Sequence, residues 1–472
     1  MMNPALMPKF NTIDPVKALI NIGSLLDIPT GYYVQGKHGE HILNGGLGQL
    51  TGVVAIANAF KSTLMHYMML SALERMLVSV ETSAHTYDTE MNVHETRLKI
   101  LTQHFDILKD KDLLLDGIWS VSDKTIYYGN TWFSHLKEFL NNKKDHKKEL
   151  LRETPFLDRD GKTPISMMIP TFGEVDSLTE FRTEHAAEIE NKSDLGSSER
   201  NTIFMRQGGA KSALLSELPT VTMSAMHYLL VTAHIGKDIV IPTGPIPQAP
   251  VVQISGMKNG DKIKEVSSKF FFLMSNCWHI THVSQLLRKG TRFAEYPKDS
   301  ADDEVIDNDL KLLSVRPLRS KSGLSGAPIE IIVSQTEGVL ASLSEFHYIK
   351  SNDRFGLSGS LQHYSLDIYP DMKLSRPTVR KKIDEDPILR RALNITAEMC
   401  QLKQDRRHLD VLCTPKELYD DLKAKGYDWD VLLHTRGWWT LNNDKYEVPF
   451  LSTMDLLRMR AGLYHPYWMD KK

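Results

Sequence analysis

Two rhythms of apolar and polar positions alternate along this chain. Leu50 to Ala55 is a short, β-branched apolar run and predicts a buried strand. From Lys61 the stretch KSTLMHYMMLSALERM has the spacing of an amphipathic helix. Ala84 to Tyr87, Thr171 to Leu178 and Tyr228 to Ala233 are further runs of strand length. Each ends on polar residues: Asp88-Thr89-Glu90, Asp176-Ser177 and His234. Phe270 to Trp278 reads as another strand. LKLLSVRPLRSKSGLSG and APIEIIVSQTEGV predict two strands joined by a Gly-containing turn, with Arg316, Arg319 and Lys321 on the turn side. Residues 12–26 predict a short leader helix opened by Asp14-Pro15. Residues 105–160 are charged and helical in tendency, and Ile203 to Met226 predicts a long helix. Strand–helix alternation of this kind argues for an α/β fold with a mostly parallel sheet.

Beyond about residue 360 the composition shifts. Between Lys373 and Arg407 there are ten Lys/Arg against five acids. Thr414-Pro415-Lys416-Glu417 is a capping box that opens a helix. TRGWWTLNNDKYEV predicts a hairpin turning at Asn442-Asn443-Asp444, and Ser452 predicts the cap of a last helix. Helices with a hairpin give a winged-helix-like unit; a plain helical cap on the core is the alternative. The expected division is a leader and oligomerisation segment at 1–35, an α/β core at 36–360 and a basic, mostly helical domain at 361–472.

Global charge adds little. The net charge of −2 over 472 residues excludes a polyanion partner held by overall charge, so a nucleic-acid site has to be local. The lysines of LNNKKDHKKELL read as a solvated helix. The three cysteines show no C-x-x-C, as expected of a reducing compartment. No basic n-region with an apolar core opens the chain, and no apolar run reaches membrane-span length. A soluble, cytoplasmic protein without a membrane partner is expected.

The chemistry concentrates at strand ends. Strand, small-residue turn, Lys-Ser and helix is the layout of a phosphate-binding loop, in which helix N–H groups face phosphate. That makes Asn58, Ala59, Phe60, Lys61, Ser62 and Thr63 candidate nucleotide ligands. Ala55 and Phe60 stand where that pattern has glycine, and an ordinary strand-to-helix turn is the alternative. Glu90, at the end of a neighbouring strand, can polarise a water; a solvated acidic turn is its alternative. Asp176 ends a further strand and, with Ser62, suits Mg²⁺. The Gly/Pro-rich segment 237–269 is long enough to be either functional or disordered.

Taken in order, these pieces resemble the RecA family of recombinases, and within it the phage UvsX type, whose loops also read F-K-S as Phe60-Lys61-Ser62 do. Ala55 departs from that pattern at the first turn. Tyr87-Asp88-Thr89-Glu90 resembles the family's Y-D-S/A-E, which implies Glu90 as catalytic base. Asp176-Ser177 resembles its Walker-B D-S. Ala233-His234 resembles the strand-end sensor, which implies that His234 couples γ-phosphate to DNA. Ala187-Glu188-Ile189-Glu190 and 237–269 fall where the two DNA-binding loops would be. Leu318-Arg319-Ser320-Lys321 resembles the K-x-K that reaches a neighbouring subunit's ATP. The resemblance covers about residues 20–360. It implies a RecA-like ATPase core using ATP and Mg²⁺, self-association into filaments on single-stranded DNA, and strand exchange with duplex DNA. A phage protein of this type would act in the host cytoplasm. A hexameric ring helicase of the DnaB group shares such a core, although that group carries a long helical domain before it. A degenerate ATPase that only binds DNA is the non-enzymatic alternative.

Overall fold

The computed structural model describes residues 18–158, 160–192, 198–237, 256–258, 260–267, 269–321, 323, 328–360 and 363–469. At its centre lies a ten-stranded sheet. Its strands are β1 (Leu50–Ala55), β2 (Ala84–Asp88), β3 (Trp119–Asp123), β4 (Thr171–Asp176), β5 (His227–Lys237), β6 (Asp261–Ile263), β7 (Asn276–Gln285), β8 (Leu310–Ser320), β9 (Ile329–Ser334) and β10 (Gly338–Val339). The order across the sheet is β10-β9-β8-β7-β1-β5-β4-β2-β3, with β6 paired to the projecting end of β5. The six strands from β7 to β3 are parallel. β8, β9 and β10 continue the sheet antiparallel.

β1 is buried at every position, as a central strand covered on both faces must be. Val53 and Ala55 face one core and Leu50 and Val54 the other. The first core is built with α1 (Ser24–Thr30), α2 (Lys61–Leu77) and the C-terminal helices. The second is built with α3 (Gly129–Asp145), α5 (Ser198–Ser224) and α6 (Lys269–Leu273). A shorter helix, α4 (Glu184–Lys192), precedes α5.

Several local expectations change. Helix 12–26 falls partly outside the described residues; within them, Ile20 makes an isolated bridge to Leu47 and the helix begins only at Ser24. Phe270 to Trp278 is not one strand. The Ser267 hydroxyl accepts from Lys269 N at 3.1 Å, which opens α6, and the Phe270 ring packs against Gly52 of β1. A Cβ at Gly52 would lie 2.9 Å from that ring, so glycine permits the approach. Residues 105–160 are not only helical: they hold β3, whose Trp119 indole donates to Thr86 Oγ1 at 2.9 Å, and the first strand of a hairpin, Leu151–Leu157 with Pro164–Met168. Lys143, in the lysine cluster, is buried rather than solvated.

The C-terminal hairpin is absent as well. Between Trp429–Leu433 and the last helix (Thr453–Arg460) the chain wraps around Arg436, whose guanidinium donates to Val448 O, Asn443 Oδ1, and the carbonyls of Asn443 and Trp438. Those carbonyls are spent on the arginine instead of a strand ladder. The capping box at Thr414/Glu417 and the Ser452 cap form as expected.

Candidate active site

The carboxyl ends of β1, β2 and β4 meet at one edge of the sheet, while β5, expected to end at His234, runs on to Lys237. Ala55 of β1 lies beside His234 of β5, and Asp88 of β2 beside Asp176 of β4. In parallel α/β sheets this edge is where ligands bind. α2 starts there with no side-chain cap on its first N–H groups. The left-handed turn that the loop needs is made at Asn58 (φ 56°) and Phe60 (φ 61°). Ala55 is still strand, so no glycine is required at that position. Asn58 is exposed, Ala59 is buried, and Phe60, Ser62 and Thr63 are half-buried. Thr63 is in the first turn of α2.

Lys61, 6 % exposed, donates to Ile56 O at 3.2 Å and to His234 Nδ1 at 3.3 Å. An ammonium can only donate, so Nδ1 accepts and the imidazole proton sits on Nε2. Nε2 is 2.9 Å from Glu90 Oε1 and donates to it. The imidazole thus bridges the loop lysine and the carboxylate. This bond, with help from the Lys61 charge, pulls the Glu90 carboxyl down to about 2. Burial lowers Lys61 from its ordinary value, opposed by Glu90 and Asp176. The His234 amide donates to Thr179 Oγ1 at 3.0 Å, which fixes β5 at this point.

Asp176 is 1 % exposed. Thr232 donates to its Oδ1, and Ser62 bonds the same carboxyl. Burial pushes the group up against those two bonds. Its Oδ2 is buried without a hydrogen-bond partner among the described residues. An unsatisfied carboxylate oxygen beside a serine hydroxyl suits a hard cation shared with phosphate. Among the described residues no cluster of three His, Cys, Asp or Glu would hold a metal unaided, so a cation here would draw its other ligands from phosphate and water. The Thr89 hydroxyl donates to Ser177 O and accepts from Ser177 N, clamping the ends of β2 and β4 together. Asp88 accepts from Glu90 N and Val93 N, which shapes the turn that presents Glu90.

Arg319 and Lys321 are not part of this edge. Arg319 lies opposite Cys277, which pairs with Gly52, three residues before Ala55. That displacement is about 10 Å along the strand, toward the amino edge. Arg319 stacks over Phe271, and Lys321 donates to Leu273 O at 3.2 Å. Most of the intervening turn, like 238–255 of the proposed second DNA loop, is outside the described residues. Ala187 to Glu190 lie on α4.

Sequence reasoning missed Thr179, Thr232 and a buried lysine, Lys211. Thr232 carries a periodic signal, because it stands two residues before His234 on the same strand face. Lys211 sits inside a helix, and nothing in the sequence marks it. Glu174, fully buried behind the site and bonded to Thr86 at 2.8 Å, was also unmarked; burial pushes it well up.

No protein-family model matches the chain, and no curated protein matches it in sequence. No described helix is long and apolar enough to cross a membrane.

Proposed function

We propose that this chain is an ATP hydrolase with a RecA-like P-loop core that assembles on single-stranded DNA and catalyses homologous pairing with a duplex. The sheet order and the sequence from phosphate loop to strand-end sensor support this reading. Lys61 and the open N-terminus of α2 would bind the phosphates, with Ser62 and Asp176 holding Mg²⁺. That ion, when bound, neutralises developing phosphate charge. Glu90 orients the attacking water. While His234 donates to it, its carboxylate is a weak base, so turnover needs that bond loosened. Thr232 and Ser62 keep the Asp176 carboxyl fixed.

The observation that carries the reading is the separation of charges along the sheet. The phosphate-binding groups occupy the carboxyl edge, and Arg319 and Lys321 occupy the amino edge. If those cations complete a nucleotide site, it belongs to another copy stacked end to end, acting as arginine fingers do. The test mixes two inactive variants, Arg319→Ala/Lys321→Ala and Glu90→Gln. Mixed assemblies contain some interfaces with intact groups on both sides, and partial DNA-stimulated hydrolysis should return. No recovery, with mixed assembly verified by crosslinking, overturns the trans arrangement. Electron microscopy with single-stranded DNA and a non-hydrolysable ATP analogue distinguishes filaments from the closed rings of a helicase.

A further inference from the structure

We propose that Lys211 is the positioning residue through which the segment leaving β6 sets the His234–Glu90 pair; this rests on the DNA-dependent hydrolase reading. Lys211 is on α5 and is 1 % exposed. Its ammonium donates to Thr179 O at 2.6 Å, and Glu265 Oε2 is 3.9 Å away. Thr179 Oγ1 in turn holds the His234 amide. The His234 carbonyl accepts from Lys264 N at 2.8 Å. The connections close a circuit: Lys211, Thr179, His234, Lys264, Glu265 and back to Lys211. His234 is the member that touches Glu90 and Lys61.

A buried ammonium needs compensation, or its desolvation goes unopposed. Lys211 has one short bond to a neutral carbonyl and one distant carboxylate. Burial lowers it to about 8, with Glu265 and Glu180 opposing. Glu265 is half exposed and follows Lys258, Lys262 and Lys264 in the chain. A polyanion lying on those lysines repels the Glu265 carboxylate. Weaker hold from Glu265 throws more of the Lys211 charge onto the Thr179 carbonyl. The turn that fixes His234 then shifts, and with it the bond that depresses Glu90. The lysine transmits this change without touching nucleotide.

The full-length protein tests this with Lys211→Met, Lys211→Arg and Glu265→Gln. The readouts are ATP turnover with and without oligothymidylate, and oligothymidylate affinity measured with a non-hydrolysable ATP analogue. Lys211→Met should keep DNA affinity close to the parent's while stimulation by DNA falls about ten-fold. Lys211→Arg should restore most of the stimulation, since it keeps the charge and the donor. Glu265→Gln, on the surface and safe for folding, should lower stimulation in the same direction. Undiminished stimulation in both Lys211→Met and Glu265→Gln overturns the coupling. So does parallel loss of basal turnover, affinity and thermal stability in Lys211→Met with no effect of Glu265→Gln, which marks a strut. A parent that neither binds nor responds to oligothymidylate overturns the DNA-dependent reading itself, and the coupling with it.

Discussion

The carboxyl edge of the sheet and the seam beneath the C-terminal helices are both rich in charge, but they use it in opposite ways. At the seam, the basic run that looks most like a binding patch is consumed inside the molecule. Arg376 pairs with Asp303, Lys381 with Asp299 and Arg390 with Asp106. Arg380, 4 % exposed at its side chain, is held by Glu337 at 2.8 Å and by Asp309. Arg406 donates to Gly31 O. The acidic segment 297–309 is thus a docking strip for three of them, Arg376, Arg380 and Lys381. At the edge, fewer charges are present and they are incompletely satisfied: Asp176 Oδ2 has no partner among the described residues, and α2 has no cap. Charge density alone does not mark a site. Charge held in place and left short of partners does, because burial of such groups is costly unless a ligand completes them.

The largest effect should come from the edge. Glu90→Gln should keep ATP binding and lower turnover by ~10²–10⁴-fold, since an amide cannot accept the water's proton. Nucleotide binding by fluorescence and turnover by phosphate release separate the two. Parent-like turnover would mean that the depressed carboxylate is a structural partner of His234, and that the edge resembles the seam after all.

The seam should respond in stability and not in turnover. Arg380→Ala removes the cation shared by Glu337 and Asp309, leaving Glu337 paired with Lys298 alone among lysines and arginines. Breaking such a buried pair costs about 3 kcal/mol. A fall in Tm with little change in basal hydrolysis well below the transition is expected. Loss of hydrolysis without loss of stability would give the seam a functional role that its internal ion pairs argue against.

These two regions also differ in how far the sequence reveals them. Strand runs that end on Asp88, Asp176 and His234 are visible because a buried parallel strand must be apolar and its polar end must be edge. All three land together, and β8, which carries Arg319, pairs with β9 as expected. Phe270 misleads because an apolar run reads the same in a helix that caps the sheet and in a strand. The 435–448 hairpin fails because turn residues at Asn442-Asn443-Asp444 signal a turn without saying what donates to the flanking carbonyls. Lys211 and the pairing of the basic run are tertiary facts with no local trace.

Protonation gives a third, smaller contrast. Glu90 is held down at the edge, whereas Glu345 at the seam is pushed up to about 7 by burial. Ser24 donates to Glu345 at 2.6 Å, and Asn394 links it to Glu398, also pushed up. A carboxyl with a raised folded value keeps its proton in the native state after the unfolded chain has lost it. Stability from this group is therefore full below about 4.5 and falls as pH rises toward 7. Tm should drop between pH 5 and pH 8, and Glu345→Gln should remove roughly 1–3 kcal/mol of that dependence. An unchanged slope would show that Glu345 is ionised in the folded protein and that the seam's acids behave like Glu90.

The smallest effect separates strand from loop within the edge itself. From the sequence, glycine at position 55 would relax the first turn. In the structure Ala55 is the last residue of β1, fully buried and paired with His234, and it has no positive φ to relieve. Ala55→Gly should therefore not tighten nucleotide binding, and should destabilise by about 0.5–1 kcal/mol through chain entropy. Phe60 is the opposite case. It sits at φ 61°, where an L-residue is strained by roughly 1–2 kcal/mol. Phe60→Gly relieves that strain but loses the ring's packing against the core, so the two terms oppose and the net change in Tm should be small. Nucleotide affinity is the sharper readout. If Phe60→Gly leaves affinity intact while Ala55→Gly weakens it, the loop's shape is set at the strand end. If Phe60→Gly weakens affinity by loosening the turn, the ring is what holds the first N–H groups of α2 toward the phosphates.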